Sequence, residues 1–175
     1  MKQWPLLLLL TGTLAMAVFM TINGAPLKTP QTPHGIIDLE FAYNTEKVNI
    51  IATAWQLQSA DGLDDVAENN TMWDFVFILF YASFFFAACK TLSKKFITTH
   101  WKHTAGIFLS KTAIAAGVLD IGENLGMLQT LSARGNDSIY LFTALCASVK
   151  WLLVLLILIY LLFALISQRQ RMGTS

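Results

Sequence analysis

The stretch IYLFTALCASVKWLLVLLILIYLLFALI, residues 139–166, decides the fold. A helix of about 20 apolar residues crosses the ~30 Å hydrocarbon of a bilayer. This stretch exceeds that length and carries a single charge, Lys150. Lipid offers no partner for backbone N–H and C=O groups, so such a span is helical.

Working outward from it, residues 105–131, 72–92 and 4–22 also meet the length. Composition agrees. Of 175 residues 55% are apolar and 13% charged, about half the ~25% charge usual in a soluble domain. The expected fold is an all-α, four-transmembrane-helix bundle forming one membrane domain over residues 1–175. A net charge of +1 gives no general affinity for nucleic acid. No internal repeat or low-complexity segment is present.

The first span has a rival reading. Lys2, an apolar run and Asn23-Gly24-Ala25 resemble a secretory signal peptide. The run from Pro5 to Met20 is long for that role, and a retained helix is expected.

Lys and Arg in short loops set orientation. The loop between spans two and three, with its flanking helix ends, holds Lys90, Lys94, Lys95, Lys102 and Lys111 and no acid. Lys2 precedes span one, and Arg169 and Arg171 follow span four. The loop of residues 23–71 instead sets Asp38, Glu40, Glu46, Asp61, Asp64, Asp65 and Glu68 against Lys28 and Lys47. The turn at 132–138 holds Arg134 and Asp137. The expectation is an inner (plasma) membrane protein, with both termini and the lysine loop cytoplasmic and the acidic loop outside.

That outer loop is too long for a simple connection. Pro26, Pro30 and Pro33 enforce an extended entry. Residues 35–42 fit two periods: Ile37, Leu39 and Phe41 alternate as in a strand, whereas Ile36, Leu39 and Tyr43 fit a helix. Residues 45–59 read as a helix with Val48, Ile51 and Trp55 on one face and Asn44 or Thr45 as cap. Ala60-Asp-Gly-Leu then breaks it. One or two short helices over the outer mouth of the bundle are expected; the plainer alternative is that they merely rest at the interface, with Trp55 as an anchor.

Ionisable residues inside a span are costly, face the bundle interior and are functional candidates. Span three carries Asp120, Glu123 and Asn124, span four Lys150, and span two Asp74 and Tyr81. At ~1.5 Å per residue, Asp120 lies ~16 Å and Lys150 ~18 Å below the outer ends of their helices. The short turn makes these helices antiparallel neighbours, so acid and base meet near midplane. Ala113, Ala116, Gly117, Asp120, Glu123, Asn124 and Met127 share one face of span three. Thr143, Cys146 and Lys150 share one face of span four, which turns apolar at Leu153, Val154 and Ile157. A polar pocket opening outward follows, with Lys150 at its floor, Asp74 and Tyr81 as a third wall and Glu40 at its mouth. Gly122 and Gly126, spaced as G-x-x-x-G, point away from that face and suit close approach of another helix, span one being the candidate.

Other constellations are weaker. His100-Trp-Lys-His103 has metal-like spacing but lies in a basic loop, where it reads as a segment meeting anionic headgroups. Glu40, Asp74, Asp120 and Glu123 would suit a metal were Lys150 not among them, so no metal or other cofactor is expected. Cys89 and Cys146 lie in apolar runs and read as buried hydrophobes. The Asn69-Asn70-Thr71 sequon matters only where a pathway glycosylates it.

Gly35-Ile36, Leu39-Glu40-Phe41-Ala42, Trp55, Asp74-Phe75, Tyr81, Asp120-Ile-Gly-Glu123-Asn124 and Lys150 together resemble a group of small bacterial membrane proteins of no established activity. The resemblance runs from Pro33 to Tyr160. It implies a four-helix membrane fold and no reaction.

Three readings stay open. The pocket binds a small amphipathic molecule or lipid headgroup, with proton movement as a further element; Phe75, Phe77, Phe80, Phe84, Phe85 and Phe86 suit its apolar part. Alternatively the cluster only fixes packing in a structural or assembly subunit. Thirdly, Asp120 or Glu123 serves as acid or base, with Lys150 stabilising developing negative charge. No catalytic signature selects that third reading. The bilayer is the expected partner, and a homo-oligomer would favour the structural reading.

Overall fold

The structure, a computed structural model, describes residues 4–57, 61–98 and 100–172. Among them every regular element is helical. Helix α1 (Trp4–Asn23) leads through a short 3-10 turn (Ala25–Leu27) to α2 (Ile36–Glu40) and α3 (Thr45–Ala54). Three long helices follow: α4 (Asp64–Ser93), α5 (Trp101–Leu131) and α6 (Asp137–Met172). Helices α1, α4, α5 and α6 are long and apolar enough to cross a membrane.

The three later helices outrun their apolar segments. Helix α4 begins at Asp64 rather than 72, α5 at Trp101 rather than 105, and α6 runs to Met172 rather than 166. Hydropathy marks only the apolar part of a helix, whereas the helix itself continues through polar residues while its ends are satisfied. Asp64 and Asp65 supply negative charge at the N-terminus of α4, where the helix dipole favours it. His100 caps α5, its Nδ1 accepting from the Lys102 N–H at 3.2 Å.

Helix α5 is the centre of the bundle, packed along α4 on one side and α6 on the other, while α1 lies against α4. The glycine pair does not serve α1. A methyl at Gly126 would collide with the Thr143 hydroxyl, and Gly122 looks onto the Phe142 ring of α6. The polar stripe by itself does not say which neighbour lies on its flank. Helix α6 is broad enough to cover both the stripe and its flank.

The segment between α1 and α4 folds onto the end of the bundle that holds the α5–α6 turn. The Thr45 N–H and hydroxyl both donate to Asp137 Oδ1, each at 2.7 Å. Residues 36–40 are helical rather than extended, burying Leu39 and Glu40 and leaving Ile37 and Phe41 partly exposed. Asn44 caps α3, accepting from the Lys47 N–H at 3.0 Å. Helix α3 stops at Ala54, short of residue 59 (58–60 lie outside the described residues). The reason is Trp55. Its side chain is withdrawn completely from the surface, and its indole N–H donates to Leu27 O at 2.8 Å and Thr32 Oγ1 at 3.0 Å. Gln56 then turns the chain through the left-handed region at φ 52°. Trp55 is thus the core of the outer layer and not an interfacial anchor.

Two apolar cores result. One joins α4, α5 and α6 through Ile78, Phe85, Ala113, Ile157 and Tyr160. The other joins the outer layer to the bundle through Leu27, Leu39, Trp55, Met127 and Tyr140. Along α5 the gap between them falls at Asp120, Glu123 and Asn124, and along α6 at Lys150.

Candidate functional site

That gap is filled by one polar network. Asp120, Glu123 and Asn124 lie within a single turn of α5 and are buried. Lys150 of α6 extends into them. Its ammonium donates to Asp120 Oδ1 at 2.9 Å and to Glu123 Oε1 at 2.8 Å, with Glu123 Oε2 also at 2.8 Å. The ammonium therefore straddles the Glu123 carboxylate. From α4 the Tyr81 hydroxyl donates to the other Asp120 oxygen at 2.6 Å. One turn nearer the α5–α6 connection, Asn124 Nδ2 donates to Asp74 Oδ2 of α4 at 2.7 Å. Three helices are thereby tied through one buried acid.

The fourth carboxylate comes from outside the bundle. Glu40 of α2 reaches inward until its Oε2 lies 3.6 Å from the Lys150 ammonium. The Trp151 indole N–H donates to the same oxygen at 3.2 Å. Glu40, with Leu39 beside it, closes the cluster on the side of the α1–α4 segment, and Glu40 itself is only 8% exposed. On the opposite side the apolar core of α4, α5 and α6 closes the floor.

Of the residues singled out in the sequence, Glu40, Asp74, Tyr81, Asp120, Glu123, Asn124 and Lys150 come together. Thr143 stands apart: its hydroxyl donates to Ile139 O at 2.9 Å, and the side chain packs on Gly126. Trp151 was missed. It sits next to Lys150, whose ammonium lies 5.4 Å from the indole ring centre. Only its place beside the one charge of the span could have drawn attention to it. Cys89 and Cys146 are buried free thiols, as their apolar settings imply.

Charge and donor inventory define what the cluster can do. Glu40, Asp120 and Glu123 lie within 3.6 Å of one ammonium and Asp74 joins them through Asn124, so three carboxylates remain uncompensated within this network if all four are ionised. Burying unpaired charge is costly, and such a site lowers its energy by holding protons or cations. A second mark is the Asn124 side-chain oxygen, which is buried without a hydrogen-bond donor. Buried acceptors are nearly always satisfied. Its amide nitrogen is committed to Asp74, which leaves the oxygen as the open acceptor of this side chain. Among the described residues no three Asp, Glu, His or Cys side chains are disposed to hold a metal ion.

Comparison of the chain with protein-family models, curated proteins and solved structures finds no match, so the reading of the site rests on its geometry.

Proposed function

We propose that this chain is a multi-pass plasma-membrane protein, both termini cytoplasmic, whose buried acidic cluster binds the positively charged group of a small amphipathic molecule or lipid. The ligand enters from the outer side as α2 withdraws Glu40. The lysine-rich α4–α5 loop and the acidic α1–α4 segment support that orientation. The observation that carries the reading is the surplus of buried carboxylates around Lys150. An anionic ligand would add to the surplus, whereas an ammonium neutralises it and offers the donor that Asn124 Oδ1 lacks. Protons held by the closed cluster would leave as the cation arrives, which couples binding to proton release.

The test uses the full chain in a neutral detergent, titrated below micelle-forming concentration with n-decylammonium or n-decanol. The expected result is a rise in melting temperature and proton release with the ammonium alone, both lost in Glu123→Gln. Equal shifts with the two additives, unchanged in Glu123→Gln, would overturn the reading.

One observation favours a structural role instead. Asp120 uses both oxygens to join Tyr81 of α4 to Lys150 of α6, and such a knot fixes helix register without any ligand. It does not explain why a third carboxylate is brought to Lys150 by a helix outside the bundle.

A further inference from the structure

The opposite end of the bundle carries a second site, independent of the acidic cluster. Lys102, in the first turn of α5, is partly buried at this end. Its ammonium lies 5.6 Å from the Phe96 ring centre, 5.7 Å from that of Trp101 and 5.1 Å from that of Phe163. Its hydrogen-bond partner is neutral: the ammonium donates to Ser167 Oγ at 2.7 Å. Among the described residues no carboxylate lies within ion-pair distance of it. The backbone on both sides is pinned, since the Tyr160 hydroxyl donates to Lys102 O at 3.0 Å and Gly106 admits the Tyr160 ring. A lysine that merely snorkelled to water would not be caged by three rings and a hydroxyl.

Beneath this ammonium opens a groove of about 280 Å³ between α5 and α6. It starts at Trp101 and Lys102 and runs over Ala105 to Leu109 and Leu156. Seven residues of α5 correspond to a run of ~10 Å. Below its mouth the wall is apolar. A cation at the top of an apolar slot, on the end of the bundle where Lys90, Lys94 and Lys95 also lie, is complementary to an anionic headgroup on an acyl chain. Free phosphate would leave the slot unfilled, and a zwitterionic lipid would bring its own ammonium against Lys102.

We propose that Lys102, Trp101 and Ser167 seat the phosphate of an anionic phospholipid, one acyl chain of which lies in the groove over Ala105 and Leu109. This lipid belongs to the leaflet at the basic end of the bundle and is separate from the ligand of the acidic cluster.

The full chain in neutral detergent is titrated with phosphatidylglycerol or phosphatidylcholine, and bound lipid is counted by native mass spectrometry. One tightly retained phosphatidylglycerol is expected, with phosphatidylcholine at least about tenfold weaker, the worth of a hydrogen bond to a charged group. Lys102→Gln should lose that preference. Ala105→Phe, which fills the groove and leaves every charge in place, should lower retention by a similar factor. Lys94→Gln, on the exposed side of the same loop, should change it about fivefold or less. Equal retention of both lipids by the parent chain would overturn the proposal. So would a preference that survives Lys102→Gln and Ala105→Phe, or one that falls as far with Lys94→Gln, because diffuse surface charge would then suffice.

Discussion

Glu40 Oε2 lies 3.6 Å from Lys150 Nζ, although the two residues belong to different layers of the protein. Lys150 is thirteen residues, ~20 Å, along α6 from its start at Asp137. Glu40 therefore belongs to a short helix that dips alongside the bundle rather than resting on its rim. Removing the ammonium and removing a carboxylate should have unequal consequences. Lys150→Met leaves Asp120 and Glu123 buried without a counter-charge and should cost about 3–5 kcal/mol. Glu123→Gln relieves part of the acid surplus and should cost less than half as much. Unfolding of both variants in detergent measures the asymmetry. Equal losses, with strong recovery in the double variant, would instead mark a balanced pair that only pins the helices.

The contact between Glu40 and the cluster should set how often α2 opens. Helix α2 is five residues long and fully buries only Leu39 and Glu40, so it belongs to the low-stability part of the molecule. Glu40→Ala removes the bond from the Trp151 indole and the attraction of Lys150. Amide exchange over residues 36–42 should quicken by about five- to tenfold, while exchange in α5 stays unchanged. Uniform acceleration through all helices would mean that α2 opens only with global unfolding.

Trp55 should hold the outer layer as a unit. Trp55→Phe leaves Leu27 O and Thr32 Oγ1 without the indole donor, at about 1–3 kcal/mol. Trp55→Ala adds a cavity and should cost about 3–5 kcal/mol. Tryptic cleavage at Lys47 reports this loosening. The expected outcome is faster cutting at Lys47 with the four long helices still protected.

The two glycines of the G-x-x-x-G pair should respond differently. A methyl at Gly126 runs into Thr143, so Gly126→Ala forces α5 and α6 apart at about 1–3 kcal/mol. A methyl at Gly122 meets the Phe142 ring at 3.5 Å, ordinary contact. Gly122→Ala should fall within ~0.5 kcal/mol of the parent. Melting temperatures of the two variants decide the matter.

Four apolar helices were legible in the chain alone, because a bilayer imposes a length and an apolarity that can be counted residue by residue. Their ends were not, since polar turns such as 64–71 are helical without being apolar. Pairing of Asp120 with Lys150 was also legible: a short turn between two long helices fixes antiparallel neighbours and therefore matching depths. Tyr81 and Asp74 could be put on one face of α4, but not assigned to Asp120 and Asn124 separately, because helix rotation depends on packing. Trp55 shows the same limit. Its helical period with Val48 and Ile51 was plain, yet its hydrogen bonds to Leu27 and Thr32 require residues more than twenty positions away.

Sequence by itself therefore determined which four segments are long and apolar enough to span a membrane and at what level along its helix each charge sits, for both follow from helix rise and local composition. Only the tertiary structure decided that Glu40 closes over Lys150, that Trp151 holds it there, and that the glycine pair faces α6. Those are contacts between segments distant in the chain, and they depend on helix rotation and on how far a short helix can dip. No local period encodes either.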